Sequence, residues 1–129
     1  MLDVGAADEE YSPFDNYLEK KYPYRTRSTA LSIHSLKHFK VTHPEVCDAN
    51  YSGKRFAFNE KQLDVGFSNA VVEHVGDFDV QLYFIMEINK VSQQFGFTTA
   101  AKEFAIEVHT YFLFIHWLNK DMFNKAVIY

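Results

Sequence analysis

Residues 62–77, QLDVGFSNAVVEHVGD, change their hydrophobic period once, and that change constrains the fold more than any other feature of the chain. Leu63, Val65 and Phe67 alternate with Asp64, Gly66 and Ser68, which is the period of a strand, and Ala70, Val71, Val72 and Val75 then follow at spacings that suit one helical face. The segment reads as strand, tight turn, helix. In an open α/β sheet the ligand crevice lies beyond the carboxyl ends of the strands, so Ser68 and Asn69 stand where a ligand would be held.

The flanking sequence supplies further alternations of the same kind. Residues 1–5 read as a short buried strand closed by Gly5, with Ala6, Ala7, Asp8 and Glu9 in the loop after it. Residues 13–21 suit a helix with Ser12 as N-cap, Pro13 in the first turn and Lys20 and Lys21 in the last, and Pro23 stops it. Residues 28–33 and 46–51 read as the second and third strands, with a short helix over 35–42 between them. Over 80–91, Leu82, Ile85, Met86, Ile88 and Asn89 recur at helical spacing and predict an amphipathic helix whose apolar side covers the sheet. Residues 95–99 read as a fifth strand, and 111–129 as one or two helices rich in aromatic residues.

Composition removes several function classes. With 129 residues, 47% apolar and 23% charged, the chain is expected to be one folded domain. A net charge of −4 gives no electrostatic footprint for nucleic acid, and the cluster Lys20, Lys21, Arg25 and Arg27 reads as a solvated helix end. Cys47 is the only cysteine, so no internal disulfide forms, and its place in a strand predicts an inert buried thiol. The most apolar run, 111–118, falls well short of the roughly 20 residues that span a bilayer. No membrane partner and a cytoplasmic location are the expectation. His34, His38, His43 and Cys47 do not make a closed zinc pattern, and no metal site is expected.

The order Phe67-Ser68-Asn69 followed by Ala70-Val71-Val72-Glu73-His74-Val75-Gly76-Asp77 resembles the fourth-strand segment of class I S-adenosylmethionine-dependent methyltransferases. The resemblance runs from Leu2 to about Leu118 and is strongest over 62–77. It implies an α/β fold, a Rossmann-like three-layer sandwich with a mostly parallel sheet of about five strands in the order 3-2-1-4-5. It also implies a single methyltransferase-like domain over 1–129, truncated at both ends and lacking the family's usual last two strands.

The cofactor implied is S-adenosyl-L-methionine. Asp3 matches the acid inside the first strand, and Gly5 and Ala6 match the loop that approaches the cofactor, while Ala7 and Glu9 stand where further glycines are common. His34 falls where the family has the acid that grips the ribose hydroxyls. Ser52, or Asp48 on a slipped register, takes the place of the acid at the adenine amino group, and Gly53 and Phe58 agree with the family. Ser68 and Asn69 complete the cofactor set, and His74, beside Glu73, is the catalytic candidate for proton removal on the acceptor side. Ile106-Glu107-Val108-His109 is similar to the family's Ile-Glu-Pro-His loop.

Two functional expectations follow from the resemblance. One is a methyltransferase acting on a small-molecule acceptor. The other, prompted by the altered glycine loop, ribose acid and adenine acid, is a catalytically inactive module acting through protein–protein interaction. A nucleotide-binding enzyme of another Rossmann type is weaker, since the chain holds no complete Gly-x-Gly-x-x-Gly. The aromatic C-terminal segment is expected to support a homo-oligomer.

Overall fold

The computed structural model describes residues 1–99, the unit Met1–Thr99. Strands β1 (Leu2–Val4), β2 (Thr29–Ser32), β3 (Cys47–Asn50), β4 (Leu63–Asn69) and β5 (Ser92–Thr98) pair in parallel in the order β3-β2-β1-β4-β5. The chain builds outward from β1 to β3, then returns to the other side of β1 for β4 and β5. The switch point of the sheet therefore lies at β1, between β2 and β4.

Strand alternation sends Leu2 and Val4 to one face, where with Leu31 they meet Phe84, Ile88 and Val91 of α3 (Phe78–Val91). Burial of side chains this size stabilises by about 1.5 to 3 kcal/mol each. Asp3 and its register partner Ala30 take the opposite face. There Ala30 joins Ala6, Val46, Leu36 and Phe39, the last from α2 (Lys37–Thr42), and Glu19 of α1 (Tyr17–Lys21) comes up against Asp3. Helices on both faces of one parallel sheet make three layers, a Rossmann-like α/β fold as expected.

Gly66 allows α3 to lie this close to β4. A Cβ at that position would stand 2.7 Å from Ile88 Cγ2 and 2.8 Å from Ser92 Oγ. Ser92 ends α3 and begins β5 with no loop between them, so β5 starts three residues ahead of the expected 95.

Three other expectations are corrected. The helix expected over 13–21 is only α1, because Asn16 takes a left-handed φ of 46° and Asp15 Oδ2 accepts from the N–H groups of Tyr11 and Ser12, folding the preceding residues into a turn. The helix expected directly after β4 is a single 3₁₀ turn, Val72–His74, and α3 starts only at Phe78, where Asp77 Oδ1 caps Val80 N at 3.1 Å. The buried stripe of α3 is Phe84, Glu87, Ile88 and Val91, whereas Leu82 and Met86 are exposed. Glu87 sits in that stripe because its carboxylate accepts from Phe56 N at 3.0 Å and from Lys90 Nζ at 3.3 Å.

Cys47 also departs from expectation. It lies in β3, an edge strand, and is exposed. No helix among the described residues is long and apolar enough to cross a membrane. The loop 106–109, the aromatic segment 111–129 and the expected lack of two last strands fall outside the described residues.

Candidate functional site

Four chain segments that leave the carboxyl ends of β1, β2, β3 and β4 converge on one pocket of about 400 Å³. Its floor is Gly5, Ala6 and Ala7, its flanks include Ile33 and His34 after β2 and Tyr51 after β3, and its roof includes Val71 and His74 after β4. Val80, Tyr83 and Phe84 close the remaining wall from α3, an i, i+3, i+4 set on one helical face. A crevice at the strand ends beside the switch point is where an open α/β sheet holds ligands.

The floor turns sharply because Gly5 sits at φ 103°. A Cβ there would stand 2.3 Å from Val71 Cγ2, so glycine is needed both for the backbone and for the close approach of Val71. Its N–H donates to Leu31 O at 2.8 Å, which ties the turn to β2. His34 is exposed, and its main chain is held by Ser32 Oγ at 3.3 Å and by Asn50 Nδ2, which donates to the His34 carbonyl. Tyr51 is seated by an edge-on contact with Phe56, ring centroids 4.9 Å apart, and burial pushes its phenol up from the ordinary value. No aspartate or glutamate stands among the lining residues, whereas Lys54, His34 and His74 do.

Of the residues that the sequence singles out, the fold brings Gly5, Ala6, His34, Gly53 and His74 to this pocket. Asp3, Ser52, Ser68 and Asn69 are not among its lining residues. Ser68 is fully buried and donates its hydroxyl to Val4 O at 2.9 Å, joining β4 to β1. Asn69 Oδ1 accepts from Thr98 Oγ1 at 2.6 Å, joining β4 to β5. Ser52 is exposed next to Gly53, and Asp48 is paired with Lys40 at 2.9 Å. Glu73 Oε2 is buried and has no hydrogen-bond partner among the described residues. Val71, Val80 and Tyr83 were not singled out; the i, i+3, i+4 spacing of Val80, Tyr83 and Phe84 is the signal that could have found two of them.

Beneath the floor, on the α1 and α2 side, lies a cluster of acids. Burial, and then the facing Glu19 charge, hold the Asp3 carboxyl well above the usual carboxylate range, and burial raises Glu19 as well. No N–H or hydroxyl donor reaches either Glu19 oxygen among the described residues, so the facing carboxyls favour a proton held between them. Glu10 behaves in the opposite way. Although partial burial pushes it up, hydrogen bonds from His43, Lys20 and Asn16 bring it down to about 2.

The sheet order defines a Rossmann-like α/β domain with an open crevice at its switch point. The fold is similar to that of a SAM dependent methyltransferase from Aquifex aeolicus, with a TM-score of 0.57 and 18% sequence identity. The match covers 80% of this chain and 57% of that one, so this chain spans little more than half the length of its structural neighbour. Neither a scan of protein-family models nor a search of curated proteins returns a match. At 18% identity the likeness speaks for the fold.

Proposed function

We propose that the pocket holds S-adenosylmethionine and its product S-adenosylhomocysteine, and that the domain transfers the methyl group to a small-molecule acceptor. The observation that carries this reading is the floor, a glycine turn at the carboxyl end of β1 beneath a pocket of about 400 Å³. That volume lies inside the range of about 300 to 1,000 Å³ typical of small-ligand sites. The residues present suit an adenosyl ligand in place, size and wall chemistry, because Ile33, Tyr51 and Phe84 offer apolar surface to a base.

When bound, the cofactor supplies an electrophilic methyl group on a sulfonium. The main chain of Gly5, Ala6 and Ala7 would hold its amino-acid end, and His34 would meet the ribose with one donor and one acceptor where a carboxylate would accept two hydrogen bonds. Val80, Tyr83 and Phe84 exclude water from the α3 side. His74, exposed at the wall, takes the acceptor's proton on a ring nitrogen. Alignment does most of what remains.

Two observations favour the second reading, a catalytically inactive module acting through protein contacts. No carboxylate lines the pocket, and Val71 fills the space over Gly5. Calorimetric titration with S-adenosylhomocysteine separates the two. The methyltransferase reading expects binding that weakens at least about tenfold in Val80→Trp, which obstructs the pocket from an exposed helix position. The absence of heat at millimolar ligand would turn the case to the inactive module.

A further inference from the structure

The turn that floors the pocket is held by a side chain from outside it. Ala7 donates its N–H to Asn16 Oδ1 at 2.9 Å, and the Ala7 carbonyl accepts from Asn16 Nδ2 at 2.9 Å. A primary amide carries donor and acceptor side by side, so Asn16 satisfies both main-chain groups of one residue, as a neighbouring strand would. Ala7 needs that help, because β1 ends at Val4 and the sheet no longer supplies partners.

Asn16 is itself fixed. It is 7% exposed, and its Nδ2 also reaches Glu10 Oε1 at 3.1 Å. Glu10 in turn is held by Lys20 of α1 at 2.8 Å and by His43, beyond the end of α2, at 2.9 Å. The left-handed φ of 46° at Asn16, which asparagine tolerates better than most residues, accompanies the return of its side chain to Ala7. Asp8 adds a second tether one residue along, its Oδ1 accepting from the N–H groups of His38 and Phe39 at 2.7 and 3.1 Å and so capping α2 from a distant loop.

We propose that Asn16 is a positioning residue of the ligand pocket. Its amide fixes the main chain of Ala7, and through it the Gly5–Ala7 turn, in the shape a ligand meets. Asn16 is not among the lining residues, so it acts only through Ala7. The consequence for binding rests on the adenosyl reading above; the clamp itself does not.

Asn16→Gly tests this, since glycine accepts φ 46° and removes the side-chain amide with its bonds to Ala7 and Glu10. Amide hydrogen exchange and calorimetric titration with S-adenosylhomocysteine are measured on the full chain. A second variant, Val91→Ala, lowers stability from the α3 core without touching the turn. In Asn16→Gly the Ala7 amide loses its protection while the Gly5 amide, bonded to Leu31 O, keeps it, and affinity for the ligand falls about tenfold. Val91→Ala leaves the affinity of the folded protein unchanged. Equal Ala7 exchange in wild type and Asn16→Gly overturns the clamp, and lost protection with unchanged affinity overturns its role in binding. If wild type binds no ligand while Asn16→Gly still deprotects Ala7, the clamp stands and the adenosyl reading falls.

Discussion

On the α3 side of the sheet, Leu2, Val4 and Leu31 meet the apolar side chains of Phe84, Ile88 and Val91, and the one buried carboxylate of α3, Glu87, is bonded to Phe56 N and Lys90. On the α1 and α2 side the same strands present Asp3 to Glu19, with Asn16 and His43 buried near them. The first face stabilises the domain. The second buries two carboxyls beneath the strand that leads into the turn flooring the pocket, and no donor reaches either Glu19 oxygen among the described residues. The contrast teaches that stability and site shape are drawn here from different faces of one sheet.

The contrast is easiest to break at Ile88, which is fully buried. Ile88→Ala is expected to lower stability by about 3 kcal/mol in urea unfolding, through lost burial and the cavity left against β4. A loss below about 1 kcal/mol would mean that this face does not dominate.

A substitution on the other face is expected to act in the opposite direction. Because Asp3 and Glu19 are raised in the native state, that state holds protons the unfolded chain has released, so the pair's contribution to stability is greatest below the unfolded carboxylate values and is lost as pH rises through the native ones. Glu19→Gln removes one charge and can donate to Asp3. It is expected to stabilise by about 1 kcal/mol at pH 8, with the gain vanishing near the unfolded carboxylate values at about pH 4. A destabilised Glu19→Gln at both pH values would show that the pair is not a strained one.

The smallest effect is expected at Glu10. Its lowered value of about 2 contributes stability that is present above the ordinary 4.5 and is lost as pH falls through about 2. Since Glu10 is an exposed residue whose side chain is 27% accessible, solvent screening limits the effect, and Glu10→Gln should cost less than about 1 kcal/mol at pH 7. A pH-independent cost would assign the effect to packing.

The sequence made the apolar face of the sheet legible and left much of the polar one hidden. Alternation over Leu63, Val65 and Phe67 located β4, and the first four strands fell within a residue or two of their observed ends, because period follows from which face is buried. The start of β5 was misread, and of the expected α3 stripe Ile88 and Ile85 face the core while Leu82, Met86 and Asn89 do not. Leu82 and Met86 are apolar like Phe84 and Ile88, so composition alone does not tell which stripe is buried, and it is Ile88 that packs against Gly66 of β4. Gly5, Ala6, His34, Gly53 and His74 were legible through the family resemblance, whereas Ser68 and Asn69, placed at the crevice by the change of period, bond within the sheet instead. Asn16 and Asp8 were not legible. One clamps a residue nine positions away and the other caps a helix thirty positions away, and no local pattern reports such bonds. Asn16 even sits where propensity favours a continuous helix from Pro13.

The pocket at the strand ends is the centre of this account, and amide chemical-shift mapping with S-adenosylhomocysteine reaches it most directly. Shifts concentrated at Gly5, Ala7, His34, Gly53 and Tyr83, with β3 residues such as Cys47 unmoved, are the expected result. Shifts gathered away from those residues, or none at millimolar ligand, would contradict it.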